Sequence, residues 1–232
     1  MAGETSIKSD RTIEILIGDG DQSRQIDEWT DPLAAATAGL KAATATVASV
    51  VELTAADLLT AGKAELLARP RNVTFTTAGG TAADAPANAV IVGTDINGDE
   101  LTETVTLSQT AGTASGSKAF RTIETITYPA ADGTGATIAV GYGNVFGLSK
   151  RIRTRAGALM YGKEISAGTV VTNGTLATPT ASPPNGSYSP NSAPDGSKDY
   201  AIEYEPDGTG KDLAEGETVV LYLRLTQAVG LV

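Results

Sequence analysis

From residue 71 onward, apolar side chains recur at alternate positions, and threonines fill many of the places between them. A period of two marks strands with one buried and one solvated face. It is clearest in residues 72–77 (NVTFTT), 88–94 (NAVIVGT), 101–107 (LTETVTL), 120–128 (FRTIETITY) and 136–142 (ATIAVGY). Glycine- or proline-containing turns separate several of these runs. Asn97-Gly98 predicts a type I′ hairpin turn between the second and third, because both residues tolerate positive φ. Several short strands at this spacing predict a mainly β chain, an antiparallel β-sandwich or barrel. One helix interrupts the pattern: Thr54 and Asp57 fit a capping motif that opens a short helix from Asp57 to about Leu67, stopped by Pro70.

The flanks differ in texture. Residues 1–45 read as an extended N-terminal arm, with a short strand signal at 12–18 (TIEILIG), then Trp29 and an Ala/Thr stretch with little to pack. Residues 46–172 are the β-rich body. Residues 173–197, dominated by Pro, Ser, Asn and Gly, predict a long loop or disordered linker. Residues 198–232 carry two further strand signals, 200–204 and 218–225, which complete the body or form a small second domain.

Composition narrows the chemistry. The 232 residues include no His and no Cys, which removes the commonest general base, the usual nucleophile–base pairs and the usual zinc ligands. Hydrophobic residues make up 41%, much of that Ala and Val, and aromatics only 5%, so the expected core is thin and subunit contacts supply part of the burial. A net charge of −10 argues against direct nucleic-acid binding. The first residues lack the basic and apolar regions of a secretory signal, and no apolar run is long enough to span a membrane. The expectation is a soluble protein made in the cytoplasm.

Candidate sites are few. Asp95, Asn97, Asp99 and Glu100 resemble an oxygen-rich calcium loop, but Gly98 falls at the wrong position for an EF-hand and turn chemistry accounts for all four. Asp19 and Asp21 read as an ordinary turn. Paired carboxylates could serve a glycosidase, yet the acidic residues are scattered and the 7 tyrosines too evenly spread for a sugar-stacking platform. The glycines of 141–147 lack the spacing of a phosphate loop. No catalytic residue, cofactor or metal is therefore expected. The best patch is Arg151, Arg153 and Arg155, which a strand would place on one face. Such a row either pairs with the chain's own carboxylates or docks on an acidic partner surface.

The stretches 70–76, 90–105, 120–126 and 138–148 resemble the head auxiliary proteins of tailed bacteriophages, which are β-rich decoration or cement subunits. The resemblance implies a structural virion protein without enzymatic activity or cofactor. It would be assembled in the host cytoplasm onto the outside of the capsid, with the major capsid protein as partner and a homotrimer as its state. It also implies that an N-terminal arm reaches neighbouring subunits. The partner-binding residues expected on this basis are Ile13, Ile15, Ile17 and Trp29 in the arm and Arg151, Arg153 and Arg155 in the body. Another phage structural subunit (head fibre, neck or tail) and a carbohydrate-binding module are the alternatives.

Overall fold

The computed structural model describes residues 25–81, 84–131, 135–149, 159–166, 169–170, 175–177 and 186–204. Every strand pairing among them is antiparallel. The chain enters through β1 (Gln25–Trp29) and β2 (Ala36–Ala45), then β3 (Val51–Thr54), a 3-10 turn (Ala55–Asp57) and α1 (Thr60–Ala68). It continues through β4 (Arg71–Gly79), β5 (Asn88–Thr94), β6 (Glu100–Thr106), β7 (Gly112–Phe120), β8 (Thr122–Tyr128) and β9 (Ala136–Gly147). The later elements are β10 (Leu159–Ser166), β11 (Thr169–Val170), β12 (Thr175–Ala177), β13 (Ser187–Ser189) and β14 (Lys198–Tyr204).

Two sheets form the sandwich. The large sheet runs β12-β13-β9-β4-β7, with β2 also paired to β9, and the cover sheet runs β3-β8-β5-β6. Between them Leu40, Val73, Phe75, Val140 and Tyr142 of the large sheet meet Ile91, Leu101, Val105, Ile126 and Tyr128 of the cover sheet. The rings of Phe75 and Tyr128 meet edge to face at 6.1 Å, a geometry worth about 0.5–1.5 kcal/mol beyond area burial. A side sheet, β1-β14-β10-β11, abuts this sandwich. Trp29 of β1 stacks on Phe146 of β9 at 4.9 Å, and Tyr200 of β14 tilts against the same ring at 5.6 Å. The architecture is mainly β and sandwich-like, and no sheet among the described residues closes into a barrel.

Several expectations change. Within residues 25–45 of the supposed arm lie β1 and β2, integral strands rather than an extension, while residues 1–24 lie outside the described residues. The backbone of β2 lies close against β9: a Cβ on Gly141 would overlap the carbonyl oxygen of Ala36. Part of 173–197 is also structured. Strand β13 pairs with Gly147 and Phe146, and Tyr188 is fully buried against Trp29, 5.9 Å between ring centroids. Strand 200–204 is present as β14, and 218–225 lies outside the described residues. Near residue 57 the Asp57 carboxylate accepts from the Thr54 N–H and hydroxyl, both at 2.9 Å, and the first of these is the back-bond of the capping motif. It caps a 3-10 turn, and the α-helix begins only at Thr60.

Strand β7 has no sequence signal of its own, and its neighbours set its course. Opposite the single residue Val73, β7 inserts residues between Ala119 and Ser115; opposite Asn72, β9 does the same between Phe146 and Tyr142. Such bulges release backbone groups from the ladder. The Asn72 amide replaces the lost bonds on both sides, its Nδ2 donating to Gly116 O at 2.8 Å and its Oδ1 accepting from Val145 N–H at 3.0 Å. From the cover sheet, the Glu103 carboxylate accepts from the backbone N–H of Ser117 at 2.7 Å and of Lys118 at 3.2 Å.

Two outcomes are expected. Glu103→Ala leaves the Ser117 and Lys118 amides without that acceptor and costs about 1–3 kcal/mol in urea unfolding, with faster amide exchange at both positions, whereas Glu103→Gln retains most of the stability. Burial also raises the Tyr128 hydroxyl's pKa above its ordinary value. The folded state then holds that proton more tightly than the unfolded state, so stability is complete below about pH 10 and falls as pH rises beyond it. Tyr128→Phe should flatten this alkaline limb in pH-dependent denaturation; an unchanged limb would assign it to other groups.

Candidate functional site

The residues picked out as partner contacts separate into two groups. Ile13, Ile15 and Ile17, and equally Arg151, Arg153 and Arg155, lie outside the described residues. Trp29 is described, and it is not a surface contact: only 6% exposed, it is stacked between Phe146 and Tyr188. The alternation of β1 turns Trp29 and Asp27 inward, and the Asp27 carboxylate accepts from the Ser149 N–H at 2.8 Å and from the Ser149 hydroxyl. Trp29 therefore joins the side sheet to the large sheet inside one chain.

The acidic loop is a hairpin turn of a different kind from the one expected. Asp95 N–H donates to Asp99 O at 2.9 Å and Gly98 N–H to Asp95 O at 3.2 Å, which closes a three-residue loop. Only Gly98 has positive φ, at 88°; Asn97 does not, so the turn is not type I′. The cause is the Asp95 side chain, whose Oδ1 accepts from the N–H groups of Asn97 at 2.8 Å and Asp99 at 3.0 Å. This carboxylate organises its own loop.

The most connected polar group in the described interior is Arg71, which the sequence reading left unremarked. It stands on the inward face of β4 with Val73 and Phe75 and is fully buried. Its Nε donates to Gly143 O at 2.7 Å, and its Nη1 to Leu33 O at 2.9 Å and Glu65 Oε1 at 3.1 Å. The guanidinium lies 5.1 Å from the Tyr142 ring centroid and 4.9 Å from that of Phe146. Burial pulls its pKa below the ordinary value, and the Glu65 carboxylate opposes that shift. Glu65 also pairs with Arg69 at 3.3 Å, and Arg69 Nη2 donates to Thr30 O at 2.6 Å. Two guanidinium groups thus hold the carbonyls of the segment that passes from β1 to β2.

In chemical terms these groups bind main chain. Arg71, Asn72, Glu103, Asp27 and Asp95 all contact backbone N–H or C=O groups. The buried aromatic rings do converge, but inside the chain, where no sugar could stack on them. A crevice bounded by Asp95, Leu101, Ala119, Leu148 and Ser187 has room for little more than one water molecule. The one signal for the buried charges was positional, since Arg71 and Glu103 both share a strand face with large apolar residues.

Comparison of the chain with protein-family models, curated proteins and solved structures finds no match. The site's meaning therefore rests on its own geometry. Arg71→Met should destabilise the chain by about 3–5 kcal/mol in chemical denaturation, because it removes the buried partner of Glu65 Oε1, leaving that carboxylate only the partly exposed Arg69, and takes the donor from the Gly143 and Leu33 carbonyls. Adding Glu65→Leu should restore part of the loss. Equal destabilisation by the single and double variants would mean that the pair is not coupled in this way.

Proposed function

We propose that this chain is a structural virion protein that decorates a phage capsid, bound to the outer surface of the major capsid protein lattice. The observation that carries this reading is the use made of buried polar side chains: they replace backbone bonds lost at bulges and crossings, so that polar chemistry serves cohesion of the strands. The resemblance of residues 70–76, 90–105, 120–126 and 138–148 to head auxiliary proteins supports it, as does the mainly β, sandwich-like fold. A protein of this type works by adding contact area, repeated by lattice symmetry, so that many weak contacts act together. The docking elements in this reading are Ile13, Ile15 and Ile17, which can add a strand to an exposed sheet edge, and the row Arg151, Arg153 and Arg155. Trp29 drops out because it is buried. The homotrimer belongs to the same proposal.

The test is fractionation of particles made with and without the protein. The expected result is high copy number in the head fraction and heads that lose integrity at lower temperature when the protein is missing. Absence from mature particles, or equally robust heads without it, overturns the reading. Recovery at low copy number with necks or tails would assign it to another virion part.

A further inference from the structure

Asn97 and Gly98 stand exposed at the tip of the hairpin that joins β5 to β6. In such a pair the main-chain nitrogen of the glycine can attack the side-chain Cγ of the asparagine, because glycine adds no side chain to crowd the ring that forms. The ring closes only if the peptide between the two residues turns its nitrogen onto Cγ. How the loop holds that peptide therefore decides whether the pair reacts in the folded chain.

The loop's bonds divide in two. Those that close and shape it run from Asp95 N–H to Asp99 O at 2.9 Å, and to Asp95 Oδ1 from Asn97 N–H at 2.8 Å and Asp99 N–H at 3.0 Å. None of them uses a reacting atom. The reacting atoms make the two longest bonds, Gly98 N–H to Asp95 O at 3.2 Å and Asn97 Nδ2 to Ser149 O at 3.3 Å, at or beyond the usual limit for N–H···O. Gly98 also has room: a Cβ there would meet nothing within 4 Å. Its peptide can turn while Asp95 keeps the hairpin shut.

We propose that Asn97 is a site of spontaneous modification, deamidated in the folded chain through a turn of one peptide, and that the product unties the hairpin from Ser149. The Gly98 nitrogen gives an electron pair to Asn97 Cγ, the Cγ–Nδ2 bond breaks, and Nδ2 leaves as ammonia with the proton lost by the Gly98 nitrogen. Water then opens the succinimide at either carbonyl carbon. One opening leaves aspartate at position 97, and the other leaves isoaspartate, with one more carbon in the main chain. Either product puts a carboxylate in place of the donor to Ser149 O and adds charge to a loop that already holds Asp95, Asp99 and Glu100. Ser149 is the residue whose N–H and hydroxyl bind Asp27 of β1, so the lost tie is the one between the hairpin tip and the junction with the side sheet. The inference does not depend on the capsid reading.

The test holds the full chain in mildly alkaline buffer, folded and in urea, and follows position 97 by peptide mapping and by enzymatic methylation of isoaspartate. Mapping separates this pair from Asn173-Gly174 and Asn185-Gly186. The folded chain should convert at a rate within about a hundredfold of the unfolded one, since only two exposed hydrogen bonds are given up. A folded-state rate lower than that, or no conversion, overturns the proposal, because the reaction then waits on wider unfolding. Asn97→Gln would need a larger ring and should not convert; ammonia loss there at the original rate would mean direct hydrolysis and also overturns it. Asn97→Asp mimics the product. It should speed amide exchange at Ser149 while the circular dichroism spectrum stays that of the folded chain, and unchanged exchange at Ser149 would overturn the untying.

Discussion

A sheet can give up ladder bonds only where other groups take them over, and this fold turns on one such level. Both neighbours of β4 carry extra residues beside Asn72, and the Asn72 amide bridges the two bulges. The remaining free amides of β7 are met by Glu103, which comes from the opposite sheet. One set of bonds therefore fixes both the bend of the large sheet and its spacing from the cover sheet. A buried donor left without an acceptor costs about 1–3 kcal/mol, so the arrangement tolerates few alternatives.

Arg71 works next to that level and ties it to the rest of the chain. Through Gly143 it holds the β9 bulge, through Glu65 it holds α1, and through Leu33 it holds the crossing from β1 to β2. The aromatic rings stand where the sheets join: Phe75 and Tyr128 between the layers, and Trp29, Phe146, Tyr188 and Tyr200 between the large and side sheets. With so few large side chains available, directional bonds and a handful of rings do what a bulky core does elsewhere.

The legible parts of the sequence are those where side chains keep a period. β5 has the bounds its alternation predicts, and β6 and β8 lie within a residue or two of theirs. β2 and β7 were not legible as strands, because Ala, Gly, Ser and Thr carry no apolar period. Close backbone approach holds the one, and bulge-filling side chains hold the other. Glu103 was visible in principle: it falls between Leu101 and Val105 on the inward face, a charge where burial was expected. The hairpin turn misled because Asn97-Gly98 favours one geometry in isolation, while the neighbouring Asp95 carboxylate imposes another. Trp29 misled because its partners, Phe146 and Tyr188, are far away in sequence.

The pairing of β1 with β14 has a consequence for how the protein is made. The two strands are remote enough that Asp31 N–H bonds to Asp199 Oδ1 across 168 positions. On the ribosome β1 emerges long before its partner exists, and Trp29 cannot be enclosed until Tyr188 and Tyr200 have left the exit tunnel. Non-local pairings of this kind fold slowly. Final consolidation of the side sheet thus waits until β14, about 170 residues after β1, has been translated.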